Sequence, residues 1–242
     1  MIGPAIRQPH AVQDMPSRTD KALKIERLLG LAQRTTPMRL LEIGTGTGGI
    51  ARYFGTHPEM TVHVDAVDVV DVRRTGEGFN FHLVEGTALP FEDNTFDVVV
   101  SNHVIEHVGA HDEQLQHLRE LKRVMRTDGI GYMAVPNRWM LVEPHYRLVF
   151  LSWLPRSMRT PYLAMSGKGA FYDCEPLASS EVRAMFTNVG LRFEPASAAA
   201  LQELVRIEGA SPVARALATV PLPILERIEP LFPTLIYRLW KR

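Results

Sequence analysis

Residues 40–50, LLEIGTGTGGI, constrain this chain more than any other stretch. An apolar run ends in the acidic Glu42, and a glycine-rich turn follows it. Glycines at 44, 46 and 48 remove side chains where the backbone has to turn tightly and approach a ligand. A short helix is expected from Gly48, and its N-terminus would offer unpaired N–H groups and positive potential to an anion. The stretch reads as a nucleotide-type binding turn at the end of the first strand of an α/β sheet. Alone it does not choose a ligand, because Gly44, Gly46 and Gly49 also fit the G-x-G-x-x-G dinucleotide pattern.

The rest of the chain repeats an α/β rhythm. Residues 1 to about 17 read as a loose N-terminal arm, and 19–33 as an amphipathic helix carrying Leu23, Ile25, Leu28, Leu29 and Leu31. Strands are expected at 38–43, 61–67, 80–84, 96–101 and 129–135. A helix over 113–125 presents Leu115, Leu118, Leu121 and Val124 on one face. Strands alternating with helices indicate a parallel, doubly wound sheet. Residues 138–176, with several prolines and the flexible SGKGA, interrupt the rhythm as an insertion that covers the ligand pocket. A helix at 179–188 and a strand from Leu191 resume the core. Residues 209–230 read as a second, Pro-interrupted apolar excursion, and 233–242 as a final strand of the kind often added antiparallel.

Composition narrows the function classes. Lys+Arg and Asp+Glu are equal at 27 each, so no global field favours nucleic acid or an anionic membrane. The single cysteine, Cys174, excludes an intramolecular disulfide and suits a reducing compartment. No thiol-activating motif surrounds it, so a nucleophilic role is not expected. No run approaches the ~20 apolar residues of a membrane span, and no signal peptide is expected, which leaves cytoplasm as the default.

A nucleotide-type ribose needs an acceptor for both hydroxyls, and a carboxylate at the end of the second strand supplies it. Asp68 lies about twenty residues beyond Gly48, near the spacing of a ribose-binding acid. Asp65 and Asp71 are nearby competitors, and strand alternation favours Asp68.

Four segments together resemble the class I S-adenosylmethionine-dependent methyltransferases, in particular the type 11 branch that includes quinone-biosynthesis enzymes. They are LEIGTGTGG, the stretch VEGTALPFEDNTFDVVVSNHVIEHV at 84–108, LKRVMRTDGIGYMAVPN at 121–137, and the terminal PTLIYRLWKR. The likeness is close over residues 38–137 and holds in outline elsewhere. It implies a doubly wound, Rossmann-like, mostly parallel sheet of seven strands with an antiparallel C-terminal strand and helices on both faces. The corresponding division is an arm and helix at 1–37, then a methyltransferase domain at 38–242 with its lid at about 138–176.

The resemblance also implies roles around S-adenosylmethionine. Glu42 would fix the loop and approach the methionyl ammonium, and the backbone of Gly44, Thr45, Gly46 and Gly48 would wrap the methionyl and ribose portions. Asp68 would accept the ribose hydroxyls. Glu85 stands where the family often has an aspartate facing the adenine amino group, with Gly86 and Thr87 beside the ring. Ser101 and Asn102 would border the transferable methyl group. Methyl transfer is an in-line displacement on a sulfonium, so catalysis rests largely on positioning, and a base is needed only if the acceptor must lose a proton.

Two histidines are candidates for that base. HVIEH, from His103 to His107, matches the H-x-x-E-H pattern of inverted zinc peptidases. On a helix His103 and His107 would share a face and could bind Zn²⁺, with Glu106 activating water. The motif follows a buried strand within the methyltransferase pattern, which argues against a peptidase. Some quinone O-methyltransferases carry E-x-x-E-H here and can hold a metal, but His103 replaces the first glutamate, so no metal is expected and His107 is read as a pocket-facing histidine. His145, in EPHYR, is the second candidate, with Glu143 and Tyr146 placed to orient it or with a purely structural role. LVFLSWL at 148–154 is too short to span a bilayer; it can pack as a lid, line a pocket for an apolar acceptor, or touch a membrane surface transiently.

The sequence therefore points to methyl transfer to a small-molecule acceptor of isoprenoid, phenolic or lipid-linked type, with no nucleic-acid partner. The alternatives are an NAD-dependent oxidoreductase on the same glycine turn and a non-catalytic binding protein of the same fold.

Overall fold

A computed structural model of the chain describes residues 15–208 and 211–242. In chain order the elements are α1 (Met15–Leu29), β1 (Met38–Ile43), α2 (Gly49–Gly55), β2 (Val62–Asp68), β3 (Phe79–Leu83), β4 (Phe96–Asn102), α3 (His111–Val124) and β5 (Met125–Pro136). A small excursion follows, holding β6 (Val142–Glu143), β7 (Leu148–Val149) and α4 (Arg156–Met165). The chain then makes α5 (Ser179–Val189), β8 (Leu191–Pro195), α6 (Ser197–Glu208), α7 (Pro212–Ala218), α8 (Leu222–Ile228) and β9 (Thr234–Lys241).

Seven strands form one sheet in the order β3-β2-β1-β4-β5-β9-β8. The first five run parallel, and β9 lies antiparallel between β5 and β8. Both faces of the central strands are buried, and their sequences show why. Leu40, Val98 and Val100 point into one core, and their neighbours Leu41 and Val99 into the other. Such strands read as continuous apolar runs because every side chain is covered. On one face α1, α2 and α6 pack together, with Ile25, Ile50, Phe54 and Ala200 in the core. On the other, α3 and α5 supply Leu118, Leu121, Val182 and Phe186.

Several boundaries differ from the sequence expectation. The first helix begins at Met15, so residues 15–17 belong to it and not to a loose arm; the expected arm at 1–14 lies outside the described residues. It stops at Leu29 because Gly30 adopts a left-handed φ of 63°, and a single 3₁₀ turn carries the chain to Gln33. The segment after residue 210 is helical, as α7 and α8. Its prolines start helices at N1 or N2, where no backbone donor is lost, instead of breaking them. Residues 105–107 form one 3₁₀ turn, and His103 before it has a φ of 58°. His103 and His107 therefore do not share the face of a helix. The excursion after β5 builds a core of its own from Leu148, Leu151, Leu163, Tyr172 and Cys174. No described helix is long and apolar enough to cross a membrane.

Candidate functional site

The parallel strands deliver their C-terminal ends to one edge, and their order reverses at β1, the switch point outside which such sheets form a ligand crevice. There the glycine turn adopts the backbone that its composition permits. Gly44, Gly46 and Gly48 have φ values of 80°, 52° and 84°, a region that L side chains rarely enter. The N–H groups of Gly44 and Thr45 donate to the Val67 carbonyl at 2.8 and 3.2 Å, tying the turn to β2. Thr45 Oγ1 donates to the same carbonyl at 3.1 Å, so its side chain is turned inward and only its backbone faces the crevice.

Asp68 closes the other side of the turn. Its Oδ2 accepts the Gly46 N–H at 2.8 Å, and its Oδ1 accepts the Val69 N–H at 2.7 Å. The two competing aspartates are engaged elsewhere. Asp65 is bound to His82 Nε2 at 2.9 Å, and Asp71 to Arg73, which holds its carboxyl down at about 2. Glu42 is buried beneath the turn, and burial pushes its carboxyl up to about 8.

Glu85 and Gly86 are exposed beside the end of β3, and Thr87 is half-buried. Asn102 is half-buried at the end of β4. Ser101 is fully buried, and its hydroxyl lies 3.1 Å from His117 Nε2, so its side chain faces α3 instead of the crevice.

One residue at the site was missed from sequence. Arg18 of α1 is buried, and its guanidinium lies 3.9 Å from where a Cβ on Gly46 would stand. It also acts electrostatically on Glu42. Gly49 permits this approach, since a Cβ there would stand 2.5 Å from Arg18 Cβ. The position fell at the edge of the expected arm, and only the packing of α1 over α2 brings it to the turn.

The histidines gather in a second cluster beyond β4. His145 Nδ1 is 2.6 Å from Glu143 Oε1. Burial opposes charge on His145, but Glu143 outweighs it and the imidazole pKa is raised. His107 lies with its ring centroid 6.0 Å from that of His145, so the fold brings the two candidate bases together. His103 points instead at Glu106, with Nδ1 3.4 Å from its Oε1.

The fold and the glycine turn define a Rossmann-like cofactor-binding protein of the methyltransferase kind. Residues 41–133 match the methyltransferase domain family of type 11, and that stretch is similar to the class I S-adenosylmethionine-dependent methyltransferases. It is 28% identical to a ubiquinone biosynthesis O-methyltransferase of Parvibaculum lavamentivorans, a match covering 49% of this chain and 49% of that protein. It is 30% identical to a glycine/sarcosine/dimethylglycine N-methyltransferase of Actinopolyspora halophila, over 43% of this chain and 20% of that protein. The chain thus spans half or less of the length of these relatives. A crystal structure of an S-adenosylmethionine-dependent methyltransferase from Mesorhizobium loti shares the fold, with a TM-score of 0.57 at 12% identity over 91% of this chain and 99% of that one.

S-adenosylmethionine is the cofactor expected of such proteins, and the residues present fit it. A Cβ on Gly86 would meet nothing within 4 Å, and one on Gly46 only the tip of Arg18. The buried hydroxyl of Thr47, within the turn, has no hydrogen-bond partner among the described residues. Open backbone, an unsatisfied hydroxyl and carboxylates of different depth form a donor set suited to a zwitterionic nucleoside.

Proposed function

We propose that the protein transfers a methyl group from S-adenosylmethionine to a small molecule with an apolar body, of isoprenoid, phenolic or lipid-linked type. The observation that carries this reading is the meeting of Gly46 and Asp68 across the tips of β1 and β2. It supports the reading because a side-chain-free backbone lies beside a carboxylate of the ribose-accepting type.

Bound there, the cofactor supplies an electrophilic methyl group. Arg18 would hold the methionyl carboxylate and Glu42 would approach its ammonium. The backbone of Gly44, Thr45, Gly46 and Gly48 would follow the chain of the ligand, and Asp68 would accept the ribose hydroxyls. Glu85, Gly86 and Thr87 would border the adenine. Asn102, with the backbone of Ser101, would border the transferred methyl. An acceptor hydroxyl would lose its proton to His145 or His107, and Glu143 would hold the His145 ring for that step.

Exposed apolar side chains support an apolar acceptor. Trp139, Phe150 and Trp153 are 45%, 46% and 42% exposed. Beside them an apolar hollow of about 420 Å³ is lined by Val149, Leu154, Met158 and Tyr162 among others. The two relatives' names differ, ubiquinone biosynthesis in one and glycine, sarcosine and dimethylglycine in the other, so the acceptor is read from this chain's own surface.

Calorimetric titration with S-adenosylhomocysteine, with NAD in parallel, tests the cofactor. One-to-one binding of the first alone is expected, and binding of NAD alone would return the glycine turn to the dehydrogenases. Transfer of labelled methyl is then compared among prenylated phenols, glycine and unmodified tRNA. Labelling of the amine or the tRNA but not the phenols would overturn the acceptor class.

A further inference from the structure

Beyond the C-terminal end of β4, the fold collects three donor atoms from segments far apart in the chain. His107 Nδ1 lies 3.7 Å from Cys174 Sγ. Asp173 Oδ1 also lies 3.7 Å from that sulfur, and the three donors stand within 4.8 Å of one another. Ligands held tetrahedrally at about 2.0–2.3 Å from an ion are separated by roughly 3.3–3.8 Å. The two edges that include sulfur already have that length.

We propose that His107, Asp173 and Cys174 form a binding site for a divalent transition-metal ion of the zinc type. The inference does not rest on the methyl-transfer reading, but with both ring nitrogens of His107 engaged it leaves His145 as the base for that step. Sulfur, imidazole and carboxylate together suit zinc or cobalt, whereas magnesium and calcium take oxygen alone.

A second observation points the same way. Glu106 is fully buried, and among the described residues neither carboxylate oxygen has a well-aligned hydrogen bond, with His103 Nδ1 approaching Oε1 at 3.4 Å. Its Oε1 lies 3.9 Å from His107 Nε2, on the ring edge opposite the nitrogen that faces Cys174. A metal-bound histidine commonly has its outer nitrogen held by a carboxylate in this way. Burying a carboxylate is costly; His103 offsets part of that cost, and a cation one imidazole away would offset more. His145 Nδ1 lies 4.0 Å from the sulfur but is already bound to Glu143 at 2.6 Å. Three protein ligands then leave a fourth position for water or for an oxygen of the acceptor, as in reactive rather than closed zinc sites.

The H-x-x-E-H pattern contributes to this site in an unexpected manner. His107 is a ligand and Glu106 its support, while His103 approaches the same carboxylate oxygen, Oε1, without reaching the sulfur. The remaining ligands come from the insertion.

The test uses the whole chain, kept reduced, stripped with chelator and titrated with Co²⁺. One equivalent should bind with a thiolate-to-cobalt charge-transfer band, and Zn²⁺ should displace it. Cys174→Ser should lose the band, and Asp173→Asn should weaken binding at least tenfold with an unchanged circular-dichroism spectrum. If Cys174→Ser does not fold, the affinity of Asp173→Asn decides. The proposal fails if the wild type takes up no stoichiometric ion, if no thiolate band forms, if the band survives Cys174→Ser, or if Asp173→Asn binds Co²⁺ as tightly as the wild type.

Discussion

Glu42 Oε2 accepts the backbone N–H of Ala51 at 3.0 Å, so one carboxyl group joins the end of β1 to the first turn of α2 beneath the glycine turn. Desolvation there raises its pKa to about 8, against the lowering effects of Arg18 and of the Ala51 hydrogen bond.

A proton-linkage prediction follows from that burial. The folded protein holds a proton on Glu42 up to a higher pH than the unfolded chain does, so this group's stabilising contribution is present at low pH and falls as pH rises from 4.5 to about 8. A ligand ammonium arriving beside Glu42 would favour the ionised form. At pH 7, binding of S-adenosylhomocysteine should release a proton, and its apparent enthalpy should differ between Tris and phosphate by the difference in their ionisation enthalpies. Glu42→Gln should remove that difference; a wild-type enthalpy independent of buffer would refute the coupling.

Asp68→Ala should weaken S-adenosylhomocysteine binding by about 1.5–3 kcal/mol, the range for hydrogen bonds to a charged group. The same change frees the N–H groups of Gly46 and Val69, so the melting temperature is measured alongside. A lower melting temperature with unchanged affinity would make Asp68 a brace of the turn and nothing more.

Two neighbouring glycines should respond differently to alanine. At Gly44 the new Cβ would overlap Val104 Cγ2 as well as sit at positive φ, which predicts a loss of about 2–4 kcal/mol in urea unfolding. At Gly46 only the backbone strain of about 1–2 kcal/mol applies, because the space above it is open. Gly46→Ala should therefore fold and yet bind S-adenosylhomocysteine at least tenfold more weakly. Equal stability losses at the two positions would contradict this division.

His117 is buried against Ser101, and burial lowers its pKa to about 4. The unfolded chain binds a proton there near 6.5 and the folded one does not, so its stabilising effect is present above 6.5 and is lost as pH falls toward 4. The stability difference between wild type and His117→Gln, read from urea midpoints, should shrink by about 2–3 kcal/mol between pH 7 and 4.5. A gap constant with pH would mean that His117 takes up its proton as readily in the folded protein as in the unfolded chain.

What the sequence disclosed and what it withheld divide along a physical line. The path from Glu42 through the glycines to Asp68 is local: strand, turn and helix follow one another, and spacing fixes which side chains meet. Parallel pairing follows from strands that alternate with helices, and the structure has it in its first five strands. Arg18 was hidden because its place depends on how α1 packs over α2. Ser101 looked like a pocket residue because it ends a strand, but period-two alternation there sends its hydroxyl to His117. Cys174 seemed inert in its local sequence, and only the return of the insertion sets it beside His107, 67 residues earlier. Prolines near 212 and 223 read as interruptions because sequence does not say whether they begin a helix or end one.

The place of β9 orders events during synthesis. β8 touches the rest of the sheet only through β9, which pairs with β5 on its other side. While the ribosome is still making the connecting helices, β8 has no strand to join and β5 presents an open edge. The nascent chain must keep that edge from pairing with another molecule until β9 emerges. A stalled or truncated product that ends before Thr234 would therefore be a substrate for chaperones and proteases even with its glycine turn intact.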